Sequence, residues 1–144
     1  MKKTYYFLLA MLMISLSCKT ENKNAVEGTW ELVSAKYTSP DTTYLYPKSE
    51  FDHVIKIIGK THFLFISQDT SRIESYDFGG GTYTLEGDTY TENIVFFKYP
   101  GFIGQSISYN NQIEGDNWVM TGPLNKKENE DFKWAMHEVW KRIE

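Results

Sequence analysis

The side chains that most often do chemistry are sparse in this sequence, and their spacing specifies no reaction. The three histidines, His53, His62 and His137, form no HExxH motif and no pair four residues apart. Zinc sites built on helices need such pairs, so we expect no metal site. Two carboxylates, Glu92 and Glu138, could converge inside a barrel, although no spacing rule requires it.

The serines and glycines also lack a catalytic or nucleotide-binding pattern. Residues 101–106, GFIGQS, do not form the G-x-S-x-G turn that presents a nucleophilic serine. The run Gly79-Gly80-Gly81 is followed by a strand-like segment and by no Lys-Ser or Lys-Thr pair, so it is not a phosphate-binding loop. We interpret it as a bend before a new strand. The sequence therefore predicts a protein without a cofactor that is not an enzyme.

The single cysteine, Cys18, stands where a lipid could be attached. It follows residues 1–17, which begin with Lys2 and Lys3, run apolar over residues 5–16 and end on the small Ser17. This order is typical of a cleaved export signal, and the apolar part is too short to span a bilayer as a helix. The site resembles the lipobox of bacterial lipoproteins, with Ser15 in place of the usual leucine. The resemblance implies acylation of Cys18 and a place in the bacterial envelope, and we expect the outer membrane.

Composition limits the partners of the mature chain. Removing 17 of the 144 residues leaves 127, with 13 basic and 19 acidic groups, a net charge of −6. Binding to a phosphate backbone depends on clusters of basic side chains, so we expect no nucleic-acid partner. A lone cysteine forms no disulfide within one chain, so the fold depends on packing. Aromatic residues make up 16% of the chain, which favours β-structure.

The mature chain divides into a short tether and one domain. Residues 18–25 are almost all polar and predict a tether, and residues 26–144 predict a β-barrel domain. Residues 39–50 form a Pro-containing loop long enough to act as a lid. Short apolar runs separated by turn residues predict nine strands. They cover residues 26–38, 51–58, 61–67, 72–78, 82–86, 89–99, 102–114, 117–121 and 131–143.

Two matching turns indicate how these strands connect. Gly87-Asp88 and Gly115-Asp116 each follow an apolar-Glu pair and precede a polar-aromatic pair, 28 residues apart. Such dipeptides favour two-residue hairpins, because glycine tolerates positive φ. The sequence thus predicts an all-β, antiparallel up-and-down barrel of about eight or nine strands, since closure protects the sheet edges. The last segment, 131–143, also has helical spacing, and we interpret it as a strand.

The two ends of the domain resemble the lipocalin signature. In that signature a G-x-W on the first strand, here Gly28-Thr29-Trp30, is covered by an arginine from the last strand, here Arg142. A guanidinium over an indole face is favourable, so we predict that Trp30 and Arg142 close the barrel. The segments THF (61–63), GGGTYTL (79–85), GDTYTE (87–92), IEGD (113–116) and EVW (138–140) resemble a lipocalin-like family of uncharacterised Gram-negative envelope lipoproteins. That resemblance implies the barrel and the compartment, and it assigns no catalytic residue.

Alternation along the strands indicates which side chains face the interior. If Trp30 and Arg142 point inward, Trp134, Met136, Glu138 and Trp140 share that side. Similar apolar stripes occur on other predicted strands. The candidate ligand-binding residues are Tyr83, Tyr109, Trp118, Met120, Trp134 and Met136. These side chains either fill the barrel completely or line a cavity.

Three functions are compatible with this sequence. The first is a lipid-anchored barrel that binds a small apolar or amphipathic molecule beneath residues 39–50. The second is a filled barrel that contacts other envelope proteins through exposed aromatics at residues 44–46 (YLY) or 99–102 (YPGF). The third is an enzyme that uses Glu92 and Glu138. The membrane, reached through the N-terminal lipid, is the expected partner, and the sequence carries no signal for an oligomeric state.

Overall fold

The computed structural model describes residues 24–49, 52–69, 75–126 and 129–144. The predicted export signal, Cys18 and most of the tether lie outside the described residues. Nine strands follow in chain order. They are β1 (Gly28–Thr38), β2 (Thr43–Tyr46), β3 (His53–Ile58), β4 (His62–Asp69), β5 (Ser75–Glu86), β6 (Thr89–Phe97), β7 (Ser106–Glu114), β8 (Asn117–Lys126) and β9 (Asn129–Arg142), with one 3-10 turn at Pro100–Phe102 between β6 and β7.

Eight of these strands form a closed antiparallel barrel. Each strand from β3 to β9 pairs with its neighbour in sequence, β3 pairs with β1, and β9 returns to pair with β1. The closing seam runs from the Trp30 and Arg142 pair to Thr38 and Ala135, with one register shift between Leu32 and Ser34. The predicted up-and-down barrel is confirmed, and the last segment is a strand and not a helix.

The ninth strand, β2, lies within the segment predicted to be an irregular loop. The first part of β1 pairs with β3, whereas its last four residues, Ala35 to Thr38, pair with β2. Residues 43–46 therefore continue the wall of the barrel at one end. The alternation in this segment is too short to separate from a loop on sequence alone, because a four-residue strand gains its order from the neighbour it pairs with.

The two predicted tight turns are present. Gly87-Asp88 joins β5 to β6 and Gly115-Asp116 joins β7 to β8, with two residues in each connection. Both glycines have φ of +59°, a conformation that costs glycine little. These turns place the start of β6 and the start of β8 at the same end of the barrel.

From the sequence we expected the glycine run, residues 79–81, to separate two strands. That expectation is wrong, because β5 continues through the run. The register shift between Gly80 and Gly81 leaves Val95 as an extra residue on the partner strand β6, so the pairing of β5 continues on both sides of it. A side chain at Gly79 would meet the rings of Phe65 and Phe97, and one at Gly81 would collide with the carbonyl oxygen of Asn93. The run therefore allows neighbouring rings and backbone to approach β5 closely, and residues 75–86 form one strand.

One end of the barrel is tightly packed with aromatic side chains. Trp118 lies at its centre, with ring centroids 5.1 Å from Trp30, 5.3 Å from Tyr90 and 6.2 Å from Trp140. All four rings are 2% exposed or less. Arg142 Cζ lies 4.1 Å from the centroid of the Trp30 ring and closes this end. We call this region the packed end. No helix within the described ranges is long and apolar enough to cross a membrane.

Arg142 also ties down the chain that enters the barrel. Its guanidinium donates hydrogen bonds to the backbone carbonyls of Ala25, at 2.7 Å, and Glu27. Gly28 has φ of +144°, and a Cβ there would collide with the Arg142 guanidinium and the carbonyl oxygen of Glu144. The glycine of the G-x-W triplet is thus required by the same arginine that covers the tryptophan.

Candidate functional site: a cavity at the open end of the barrel

The end of the barrel opposite the packed end contains a cavity of about 490 Å³. This volume lies within the range of small-molecule sites, roughly 300 to 1,000 Å³. All nine strands contribute to its lining. The lining comprises Leu32, Tyr37, Tyr44, Leu45, Tyr46, Lys48, Asp52, Val54, Lys56, Phe63, Phe65, Ser67, Gln68, Asp77, Gly80, Glu92, Ile94, Phe97, Tyr99, Phe102, Ile107, Tyr109, Met120, Leu124, Trp134, Met136, Glu138 and Trp140. The interior of the barrel is therefore packed with side chains at one end and contains a cavity at the other.

The segment predicted as a lid forms part of the cavity rim. The Tyr44 ring on β2 stacks on the Trp134 ring of β9, with centroids 5.4 Å apart and planes 16° apart. Lys48 Nζ lies 5.7 Å from the centroid of Tyr44. Asp52 fixes the return of the chain, because its carboxylate accepts hydrogen bonds from the backbone amides of Lys48 and Ser49. The rim is thus a set of ordered aromatic contacts.

A buried ion pair lies at the base of the cavity. Lys56 Nζ on β3 is 2.9 Å from Glu92 Oε1 on β6, and the two side chains are 6% and 7% exposed. The ammonium also lies 4.9 Å from the centroid of Trp140 and 5.5 Å from that of Trp118. Aromatic faces attract a desolvated cation, so both the carboxylate and the rings offset the cost of burying the charge.

Glu138 on β9 is a second buried carboxylate at the base, 7% exposed. The Tyr37 hydroxyl donates to its Oε1 at 2.7 Å, and the Trp140 indole N–H donates to its Oε2 at 3.0 Å. Within the described part of the chain, no Lys, Arg or His nitrogen lies within 4.0 Å of this carboxylate. Its two hydrogen-bond donors are both neutral groups.

Three of the tyrosines that line the cavity, Tyr37, Tyr46 and Tyr109, have raised pKa values. Burial raises the pKa of Tyr37 well above 10.0, and the charge of Glu138 and the hydrogen bond to it raise it further. Burial and then the charges of Glu92 and Glu138 do the same to the pKa of Tyr109. Burial and the charges of nearby carboxylates raise the pKa of Tyr46 to about 12. At neutral pH these hydroxyl groups are therefore hydrogen-bond donors as well as acceptors.

The structure brings together four of the six candidate ligand-binding residues. Tyr109, Met120, Trp134 and Met136 line the cavity. The other two, Tyr83 and Trp118, lie outside the cavity lining, at the packed end, where the Tyr83 ring is 5.4 Å from that of Tyr90. Trp118 is the centre of the packed end, and the Tyr83 hydroxyl donates to the carbonyl oxygen of Gly59 at 2.8 Å. Alternation indicates which side of a strand faces inward, but not how far along the barrel the cavity extends.

Sequence reasoning missed two residues that shape the base of the cavity, Lys56 and Tyr37. In β3, Lys56 shares the inward side with Val54 and Ile58, while Ile55 and Ile57 on the other side are equally apolar. Because both sides of this strand are apolar, the sequence does not show which side faces the core, and it does not predict that Lys56 is buried. Tyr37 stands two residues before the predicted loop. The register shift after Leu32 changes which alternate residues of β1 face inward, so alternation counted from Trp30 does not place Tyr37 inside.

The candidate catalytic carboxylates are both present in the cavity, in different surroundings. Glu92 is paired with Lys56, and Glu138 is held by Tyr37 and Trp140. Over the residues that the structure describes, no group of three or more His, Cys, Asp and Glu side chains is placed to hold a metal ion. His53 instead lies 3.4 Å from Glu31, in an exposed position.

These features define a class of protein: a closed eight-strand antiparallel barrel with one packed end and one end that opens into an aromatic cavity with buried charges. The sequence assigns this barrel to a family. The chain belongs to the family described as "Domain of unknown function (DUF4488)", whose pattern matches residues 25–144. No curated protein matches the chain.

Proposed function

We propose that this protein is an envelope lipoprotein whose lipocalin-like barrel binds a small apolar or amphipathic molecule without transforming it. The observation that carries the proposal is the cavity of about 490 Å³, bordered by aromatic and sulfur-containing side chains and closed below by the packed end. Pockets of this size and composition are typical of ligand sites. A molecule with an apolar body would contact Tyr109, Met136 and Trp134, and a polar group would reach Glu138 or Lys56.

A substitution that fills the cavity tests this function. Met136 is 6% exposed and lies in the lining, whereas its neighbour His137 points outward and is exposed. A neutral naphthylamine dye should bind the wild-type protein with saturable fluorescence enhancement. Met136→Trp should abolish that binding because the larger ring occupies the site, and His137→Trp should leave it unchanged. Absence of saturable binding to the wild type, or equal binding by the Met136→Trp variant, would contradict the proposal.

The proposed location rests on the N-terminal sequence. Residues 1–17 followed by Cys18 support export and acylation, and Lys19 directly after the cysteine favours the outer membrane. Cys18→Ser should move the protein from the membrane fraction to the soluble fraction of fractionated cells and remove metabolic labelling by palmitate. Unchanged labelling in Cys18→Ser would show that Cys18 is not the lipid site.

A second candidate function is contact with another envelope protein through the outer surface. The observation that favours it is exposed apolar surface: Tyr44 and Leu45 at the rim are 51% and 62% exposed. Large apolar residues also lie exposed on the outer side of β3 to β5, namely Ile57, Leu64, Ile66, Tyr76 and Phe78. Crosslinking in cells tests this function. Leu64→Lys should remove partner bands while dye binding persists, and unchanged bands would remove its basis.

A further inference from the structure

The charges around the cavity are unbalanced. Its lining contains two lysines, Lys48 and Lys56, and four carboxylates, Asp52, Asp77, Glu92 and Glu138. Lys98, outside the lining, pairs with Asp77 at 2.6 Å, so one negative charge remains in excess. Two of the carboxylates at the base, Glu92 and Glu138, are both less than 9% exposed, against one buried ammonium. The base therefore holds one more negative than positive charge among side chains that are less than 9% exposed.

The ammonium of Lys56 is already occupied. It contacts Glu92 at 2.9 Å and faces the rings of Trp140 and Trp118. An anionic ligand that reached Lys56 would compete with Glu92, and it would bring a third negative charge beside Glu92 and Glu138. Like charges at short range in a poorly solvated site repel strongly. This base is consequently a poor receptor for a carboxylate or phosphate group.

Glu138, in contrast to Lys56, can accept a further contact from a ligand. Each of its oxygens accepts one hydrogen bond, from the Tyr37 hydroxyl and from the Trp140 indole N–H. An ionised carboxylate can accept about four hydrogen bonds, so acceptor capacity remains. Neither donor supplies a positive charge, and the side chain borders the cavity. A positively charged donor that entered the cavity would complete both the hydrogen bonding and the charge balance of Glu138.

The surroundings of Glu138 also suit a cation. The rings of Tyr37, Tyr109 and Trp140 border the same space, and aromatic faces attract ammonium groups. Burial is the largest cause of the raised pKa of the Tyr109 hydroxyl, and the negative charges of Glu92 and Glu138 raise it further. The two carboxylates therefore create a common negative field at this end of the barrel.

We propose that the ligand is a cationic amphiphile whose protonated amine contacts Glu138 while its apolar part lies against Tyr109, Met136 and Trp134. This inference rests on the proposed binding function and specifies the chemistry of the ligand. Lys56 and Glu92 neutralise each other and orient the base, and Glu138 supplies the charge that the amine recognises.

Three probes that share one apolar chain test the inference. Isothermal titration calorimetry with decylamine, decanol and decanoate, each below the concentration at which it aggregates, compares head groups on the same purified protein. Decylamine should bind at least about tenfold more tightly than decanol, the factor that about 1.4 kcal/mol of charge recognition gives, and decanoate should bind most weakly. In Glu138→Gln the advantage of decylamine over decanol should disappear, while the affinity for decanol stays near that of the wild type.

Asp77→Asn provides the matched control. Asp77 also lines the cavity, but it is paired with Lys98 at 2.6 Å and its side chain is 36% exposed. Its removal subtracts the same charge and should leave the preference for decylamine intact. Equal or tighter binding of decanol or decanoate by the wild type overturns the cationic ligand and leaves the binding function standing. Failure of all three probes to bind counts against both proposals, and the wild-type series decides the inference even if Glu138→Gln does not fold.

Discussion

Replacing Lys56 with methionine should destabilise the barrel severely. The substitution keeps the length and packing of the side chain but removes the ammonium that lies 2.9 Å from Glu92. Glu92 is then left as a buried carboxylate with no cation beside it. Removing one partner of a buried ion pair costs about 3 to 5 kcal/mol, a large fraction of a typical unfolding free energy of about 5 to 15 kcal/mol.

Equilibrium urea denaturation, followed by tryptophan fluorescence and circular dichroism, measures this loss as a lower midpoint at an unchanged slope. The double variant Lys56→Met/Glu92→Met distinguishes the lost pair from lost packing. Two apolar side chains of similar volume leave no charge without a partner, so the double variant should be much more stable than Lys56→Met alone.

The pair between Lys98 and Asp77 is the control for this experiment. Its atoms are closer, at 2.6 Å, but the side chains are 34% and 36% exposed. Because water screens such a pair, Lys98→Met should cost no more than about 1 kcal/mol. Two results would refute the claim that burial dominates the energetics of the Lys56–Glu92 pair. One is a similar loss of stability in Lys56→Met and Lys98→Met. The other is a double variant whose loss equals the sum of the losses in Lys56→Met and Glu92→Met.

Three further predictions concern the seam and Tyr37. Arg142→Met should cost about 1 to 2 kcal/mol in urea unfolding, because the guanidinium lies 4.1 Å from the Trp30 ring, whereas Lys141→Met on the exposed side should change stability by less than about 0.5 kcal/mol. Gly28→Ala should cost about 1 to 3 kcal/mol, since its φ of +144° disfavours a side chain, and a thermal midpoint equal to that of the wild type would contradict this. Tyr37 has a raised pKa in the folded state through burial and a neighbouring carboxylate. Its stabilising contribution is complete below pH 10 and is lost as the pH rises further, so urea midpoints should fall less steeply above pH 10 in Tyr37→Phe than in the wild type.

The architecture could be predicted from sequence because its signals are local. The Gly87-Asp88 and Gly115-Asp116 turns set the meander, and alternation in Ile107 and Tyr109 or Trp118 and Met120 placed these four side chains inside, where the structure has them. These signals depend on backbone conformation and on the two-residue period of a strand. Neither requires knowledge of a distant contact.

The base of the cavity could not be predicted, because it depends on contacts between distant parts of the chain. Lys56 and Glu92 are 36 residues apart, and Tyr37 and Glu138 are 101 residues apart. Their meeting depends on the register of several strands at once, including the shifts beside Leu32 and beside Gly80. A shift of one residue moves a side chain to the other side of the sheet, so local patterns cannot specify which polar groups share the interior.

The position of β2 separates the shape of the opening from the integrity of the fold. Across the described ranges, β2 is hydrogen-bonded to β1 alone, through four residue pairs, and the ring of eight strands closes through β1 and β9 without it. Insertions, deletions or substitutions in residues 39–50 would therefore change the rim of the cavity while the eight-strand barrel stays closed. Under the proposed binding function, changes confined to these twelve residues would alter which molecules enter the cavity while the eight-strand barrel keeps its pairing.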